Sequence, residues 1–205
     1  LDQKIIINII QNNLNISKNF IQNPSAPSLH LSQVPIQKNH KNLVIIMEES
    51  LGAGFVGHLG GLKLTPNLDQ LSKEGISFTK MYATGTRTAR GMEAIVAGFP
   101  PSPMPSTLKL PKAQHNFATL GNVLKQHNYH TAFIYGGVAN FDNMRNFYQN
   151  NGFDTIIEQH DFINPNFLGT WGVSDEDWVN KSHDLFTEWT NKDAHKPFLA
   201  VMMST

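Results

Sequence analysis

"NLVIIMEES", Asn42 to Ser50, is an unbroken apolar run from Leu43 to Met47 that ends in two carboxylates. A strand with one wet face alternates apolar and polar residues, whereas a continuous run marks a strand covered on both faces, as in a parallel sheet flanked by helices. Sheets of that kind place their chemistry just beyond the carboxyl ends of their strands, which is where Glu48 and Glu49 fall. Further along, "TPNLDQLSKEGISFTKMYA" predicts a helix with Thr65 as its N-cap, Pro66 in the first turn, Leu68 and Leu71 facing inward and Gly75 as its stop. A strand, "ISFTKMYA", is expected to follow. The theme recurs in "FATLGNVLKQHNYHTAFIYGG", a helix from about Thr119 to His127 leading into the strand "HTAFIYG". "SDEDWVNKSHDLFTEWTNK" is a third helix, with Trp178, Leu185, Phe186 and Trp189 apolar, and "PFLAVMM" is a further strand. Helices alternating with strands, without hairpin turns, predict an α/β fold: a mostly parallel central sheet with helices on both faces.

Residues 1–22 read as a lead-in helix, with Ile6, Ile9, Ile10, Leu14 and Ile21 near helical spacing. Residues 23–41, with three prolines among Ser, Gln and Asn, read as an extended connector. The domain proper is then 42–205. The closing run "KPFLAVMMST" reads as a buried strand after which a catalytic loop is expected. The 205 residues are 40% hydrophobic, enough for a substantial core. Sixteen basic residues balance sixteen acidic ones, so no global field recruits nucleic acid or an anionic surface. Cysteine is absent, so any bound metal must be held by carboxylate, hydroxyl or imidazole. No apolar run approaches the ~18 residues that span a bilayer.

Two segments carry candidate chemistry. A carboxylate at the end of a buried strand is a rigidly held hard-metal ligand, and both Glu48 and Glu49 qualify by position. "TGTRTARGMEA", Thr84 to Ala94, places hydroxyls at the start of a helix near Ala89, where free N–H groups and the helix dipole favour an anion. A threonine there serves as a cap, or as a nucleophile if a coordinated cation favours its alkoxide. Arg87 and Arg90 are candidates for gripping phosphate oxygens. In "YGGVANFDNMRNFYQNNGFD", the glycine pair either marks a tight turn or lets backbone approach a ligand, and Phe141, Phe147 and Phe153 read as core. His58, His115 and His160 lie in loop context, and none forms a metal-binding HxxxH pair.

In order, "NLVIIMEES", "TPNLDQLSKEGISFTKMYA", "TGTRTARGMEAIVAGFPPSP", "TLGNVLKQHNYHTAFIYGG", "FDNMRNFYQNNGFD", "WGVSDEDW" and "KPFLAVMMST" resemble the sulfatase-like domain of the alkaline phosphatase superfamily. Within it they are most similar to the lipoteichoic acid synthase and phosphoglycerol transferase branch. The resemblance implies a metal-dependent enzyme whose threonine attacks a phospholipid phosphodiester, carries the phosphoryl group covalently, and passes it to a glycan or lipid alcohol. By the family pattern the nucleophile is Thr88, with Thr86 as the register alternative. Thr88 and Glu49 share one divalent ion, Mn²⁺ foremost and Zn²⁺ or Mg²⁺ as alternatives, with Glu48 as the other register. Arg87, Arg90, Asn143 and Arg145 are the substrate-binding candidates. The resemblance also implies an extracytoplasmic, membrane-anchored setting, with membrane contact through a segment outside this chain.

Departures from the family matter. Where lipoteichoic acid synthases carry His-Gly-Asp and Trp-Asn-Arg, this sequence has Tyr135, Gly136, Gly137 and then Asp142, Asn143, Met144, so only Asn143 is kept and Arg145 lies one position from the family arginine. Thr88 cannot become the formylglycine of true sulfatases, and the absence of cysteine sets the chain apart from the disulfide-braced phosphoethanolamine transferases. The family's Asp-His metal pair has no counterpart here. A hydrolase on the same fold, and a non-catalytic module with an incomplete metal site, are the competing expectations.

Overall fold

The computed structural model describes residues 2–13, 40–100, 102–112 and 114–205. The chain forms two compact units, Leu1–His40 and Lys41–Thr205. Within the first, α1 spans Gln3–Asn13; the rest of the lead-in helix expected over residues 1–22, and the connector as far as residue 39, lie outside the described residues, apart from Asp2.

The second unit is built on four parallel strands, β1 (Leu43–Met47), β2 (His130–Tyr135), β3 (Thr155–Ile157) and β4 (Phe198–Met203), in the order β1-β4-β2-β3. Between them run α2 (Pro66–Glu74), α3 (Thr88–Ala97), α4 (Leu120–Gln126), α5 (Met144–Asn150) and α6 (Asp175–Lys192). The continuous apolar runs are explained by what covers each face. Phe133, Tyr135, Leu199, Val201 and Met203 point to one side, into a core with Ala89, Met92 and Val96 of α3 and Phe147 and Tyr148 of α5. The alternate residues Ala132, Ile134, Phe198, Ala200 and Met202 point to the other, against Trp178 and Trp189 of α6. Both faces are covered along β2 and β4, whereas β1, although its run is as apolar, lies at the sheet edge with Leu43, Val44 and Ile46 exposed; the fold is the expected α/β arrangement.

Helix ends follow their sequence signals. Ser174 caps α6 by accepting from the Asp177 N–H at 3.1 Å, and Thr119 caps α4 by accepting from the Asn122 N–H at 3.1 Å. Gly98, with φ of 70°, closes α3 in the left-handed conformation that glycine adopts without strain.

Three expectations are corrected. "ISFTKMYA" forms no strand: residues 76–83 have no ladder partner among the described residues, and Ile76 and Tyr82 are 86% and 85% exposed. A period-2 pattern supplies faces, but a strand also needs an edge to pair with. Leu68 and Leu71 of α2 are exposed instead of inward. Phe141 is also exposed, unlike the fully buried Phe147 and Phe153, because it sits on a turn at the mouth of a cavity rather than under the sheet.

Candidate active site

At the carboxyl end of the sheet, β1 and β4 leave together. The Ser204 N–H donates to the Met47 carbonyl at 3.1 Å, and the Glu49 N–H donates to Ser204 Oγ at 2.8 Å, so the residue after β1 is fixed by the residue after β4. Ser50 then turns sharply, with φ of 58°, and its hydroxyl donates to Glu49 Oε1 at 3.3 Å. The other carboxylate oxygen is reached from a different element: the Thr88 hydroxyl donates to Glu49 Oε2 at 2.6 Å. Residues 39 positions apart are thus brought together by the sheet and by α3.

The cap reading of "TGTRT" is settled by geometry. The N-cap of α3 is Arg87, with extended backbone and no side-chain cap bond, and Thr88 is the first helical residue. Its hydroxyl is turned toward Glu49 rather than spent on the helix's own N–H groups. Thr84 donates to the Arg90 carbonyl at 3.1 Å, and Thr86 lines a neighbouring recess beside Glu48. Of the register alternatives, therefore, only Glu49 and Thr88 are hydrogen-bonded to each other.

Both line a cavity of ≈ 460 Å³ with Arg87, Lys109, Tyr135, Phe141, Asp142, Met144, Trp171, Ser204 and Thr205 among its walls. That is room for a small polar ligand. Arg87 is the one arginine of the expected set found there. Arg90 instead donates to Glu93 Oε1 and to the Ser102 carbonyl, both at 2.8 Å. Glu93 is buried and also accepts from Ser106 Oγ at 2.8 Å and the Thr107 N–H at 2.7 Å, so this cluster clamps the 102–107 loop onto α3. Arg145 forms an ion pair with buried Glu158, away from the cavity, and Asn143 donates to the Leu108 carbonyl at 3.3 Å.

Sequence reasoning missed Lys109, Tyr135, Trp171 and Ser204. The glycine pair was the available signal for Trp171: a Cβ on Gly137 would lie 2.4 Å from the Trp171 carbonyl, so Gly136-Gly137 admits the chain's own 171–173 segment rather than a ligand. The Val173 N–H donates to the Gly136 carbonyl at 3.0 Å, and Trp171 and Phe141 meet edge to face at 6.1 Å on the cavity wall. Asp142 and Asn143 are consecutive left-handed residues, φ 51° and 57°, at a cost of about 1 kcal/mol each. Burial, with the charges of Glu49 and Asp142, pushes the Tyr135 phenol above its ordinary value and keeps it a neutral donor.

The Sulfatase family model matches residues 41–205. The chain belongs to the sulfatase family. A phosphoglycerol transferase I of Xanthomonas campestris is 29% identical over 193 residues, covering 87% of this chain and 26% of that protein. A crystal structure of an alkaline phosphatase superfamily protein from Vibrio parahaemolyticus is 46% identical with a TM-score of 0.86, covering all of this chain and 49% of that one. The lipoteichoic acid synthase LtaP of Listeria monocytogenes shares the fold, with a TM-score of 0.70 at 24% identity over 80% of this chain and 40% of its own. The chain therefore spans about a quarter of the curated relative and about half of the solved one.

The sulfatase family is typically metal-dependent, and the residues present can be set against a divalent cation. Glu49 Oε2 and Thr88 Oγ1 are hard oxygen donors 2.6 Å apart, converging as two ligands of one ion would. Zinc requires about four donors and magnesium about six. Among the described residues no group of three or more His, Asp or Glu side chains is placed to hold a metal ion. The pair fits part of a coordination sphere, not a whole one. No described helix is long and apolar enough to cross a membrane.

Proposed function

We propose that this domain transfers a phosphoglycerol-type group from a phospholipid to an alcohol of a glycan or lipid, through a covalent phospho-threonine at Thr88. The observation that carries this reading is the 2.6 Å hydrogen bond from the Thr88 hydroxyl to Glu49 at the first turn of α3. Glu49 and Thr88 would hold a divalent cation, Mn²⁺ foremost with Zn²⁺ or Mg²⁺ as alternatives, which supplies Lewis-acid stabilisation of phosphoryl charge and lowers the pKa of the hydroxyl.

The chain's own residues do the rest. Glu49, locked by Ser204 and Ser50, aims the Thr88 oxygen. The bond from Thr88 Oγ to phosphorus forms as the bond from phosphorus to the diacylglycerol oxygen breaks, and the hydroxyl proton ends on that leaving oxygen. The acceptor alcohol then attacks phosphorus as the bond from phosphorus to Thr88 Oγ breaks, and the alcohol's proton ends on Thr88 Oγ, restoring the hydroxyl. Free N–H groups at the start of α3, and Arg87 at the cavity wall, face the developing anion. Residues 42–205 act as the N-terminal portion of an extracytoplasmic catalytic domain tethered to the membrane elsewhere in the protein, with residues 1–41 leading into it.

The test supplies the full-length protein with head-group-labelled phosphatidylglycerol, Mn²⁺ and an excess of a soluble glucoside. Labelled phosphoglyceryl-glucoside from the wild type, and none from Thr88→Ala, is the expected result. Free glycerol phosphate alone would place the protein with hydrolases, and equal product from both proteins would remove Thr88 from the chemistry.

A further inference from the structure

The cavity that holds Glu49 and Thr88 also holds an ion pair that the transfer chemistry does not use. Lys109 Nζ lies 3.0 Å from Asp142 Oδ2, with the Asp142 side chain 18% exposed and that of Lys109 42% exposed. An ion pair so open to water contributes little to stability, yet the turn that presents it is costly. Asp142 and Asn143 are both held in the left-handed region, and Asn143 ties that turn to the Leu108 carbonyl, beside Lys109. Strain concentrated at a cavity wall, around a pair of little structural value, points to a role in binding. Tyr135 lines the same cavity as Glu49 and Asp142.

Thr88 lines both this cavity and the neighbouring recess beside Glu48, and of the two only this cavity offers an ion pair to a group esterified to phosphorus there. The ion pair engages one carboxylate oxygen and one ammonium N–H, and these side chains carry further acceptor and donor capacity side by side. A vicinal diol, which donates and accepts, satisfies both. A primary ammonium gains Asp142 only by approaching the like charge of Lys109. We propose that the Lys109–Asp142 pair is the head-group selector of this site, favouring a neutral vicinal diol and rejecting an ammonium. The proposal rests on the transfer reading for its biological setting, and its test can be separated from that reading.

Calorimetry on the full-length wild-type protein, loaded with Mn²⁺, measures binding of glycerol 1-phosphate and phosphoethanolamine, neither of which carries a diacylglycerol to release. Glycerol 1-phosphate should bind more tightly. Adding Lys109→Met, which leaves the Asp142 charge uncompensated, should move the preference toward phosphoethanolamine by about tenfold. Adding Asp142→Asn, which keeps a residue tolerant of the left-handed backbone, should move it about tenfold the other way. Lys109→Arg should keep the parent preference. Variants that weaken both ligands equally, or leave their ratio unchanged, would show the pair to be structural and overturn the proposal. In the wild-type background, mixed phosphatidylglycerol and phosphatidylethanolamine vesicles report the same ratio in transferred product. If no head group is transferred while the binding ratios shift as described, the transfer reading fails and the selector stands.

Discussion

β1 and β4 are hydrogen-bonded neighbours of nearly the same composition, "LVIIM" and "FLAVMM", yet β4 is buried along its whole length while Leu43, Val44 and Ile46 of β1 remain exposed. Packing, not composition, makes the difference: β4 has a strand on each side and helices against both faces, and β1 has one neighbour. The lesson extends to the site. Glu49 leaves the exposed strand, Ser204 leaves the buried one, and the hydrogen bond between them fixes the reactive pair to the rigid part of the sheet.

The comparison can be broken in several places, and the largest effect expected is chemical. Thr88→Ala should lower transfer by about 10⁶-fold, the scale seen when a catalytic nucleophile is removed, while leaving the urea midpoint nearly unchanged. Next comes the buried side of the sheet. Phe133→Ala, in β2 beneath Tyr148 at 3.8 Å between ring centroids, should cost about 3–5 kcal/mol in urea unfolding. Ile46→Ala on β1 should cost about 0.5 kcal/mol. Equal losses would contradict the division between the two strands. Glu93→Ala strips the Thr107 N–H of its acceptor, leaves buried Ser106 only its longer bond to the Ala89 carbonyl, unpairs Arg90, and should cost about 3 kcal/mol, loosening the 102–107 loop to proteolysis.

Smaller effects follow. Ser204→Ala removes the acceptor for the Glu49 N–H and should lower transfer about tenfold, with about 1 kcal/mol lost in unfolding. The least concerns His130, which stacks on Trp189 at 4.9 Å. Desolvation, helped by Lys196 and Lys192, holds its pKa below the ordinary value. The folded state then binds fewer protons than the unfolded one just below the ordinary imidazole value, about pH 6.5. Its contribution is present above that pH and is lost as pH falls through the depressed value. His130→Phe should keep the stacking and flatten this part of the stability profile.

Much of this arrangement was legible in residue order. Continuous apolar runs named β1, β2 and β4, and the capping residues Thr119 and Ser174 located two helices. The Glu49–Thr88 pairing followed from family resemblance, and the structure sets the two side chains against each other. What escaped were features decided by tertiary partners. "ISFTKMYA" has a strand's pattern but no edge among the described residues to pair with, and Arg90 and Arg145 resemble anion-binding arginines until Glu93 and Glu158 are seen beside them. Lys109 gave no local signal, because its partner Asp142 lies 33 positions away on a turn whose strain no composition reveals.

The central claim, that Thr88 is the residue that carries the phosphoryl group, is tested most directly by trapping the intermediate. Full-length protein mixed with phosphatidylglycerol and Mn²⁺, quenched in acid without acceptor and mapped by tandem mass spectrometry, should carry one glycerol-phosphate on Thr88 and release an equal amount of diacylglycerol. Diacylglycerol released with Thr88 unmodified, or an adduct mapped to Thr84 or Thr86, would contradict it.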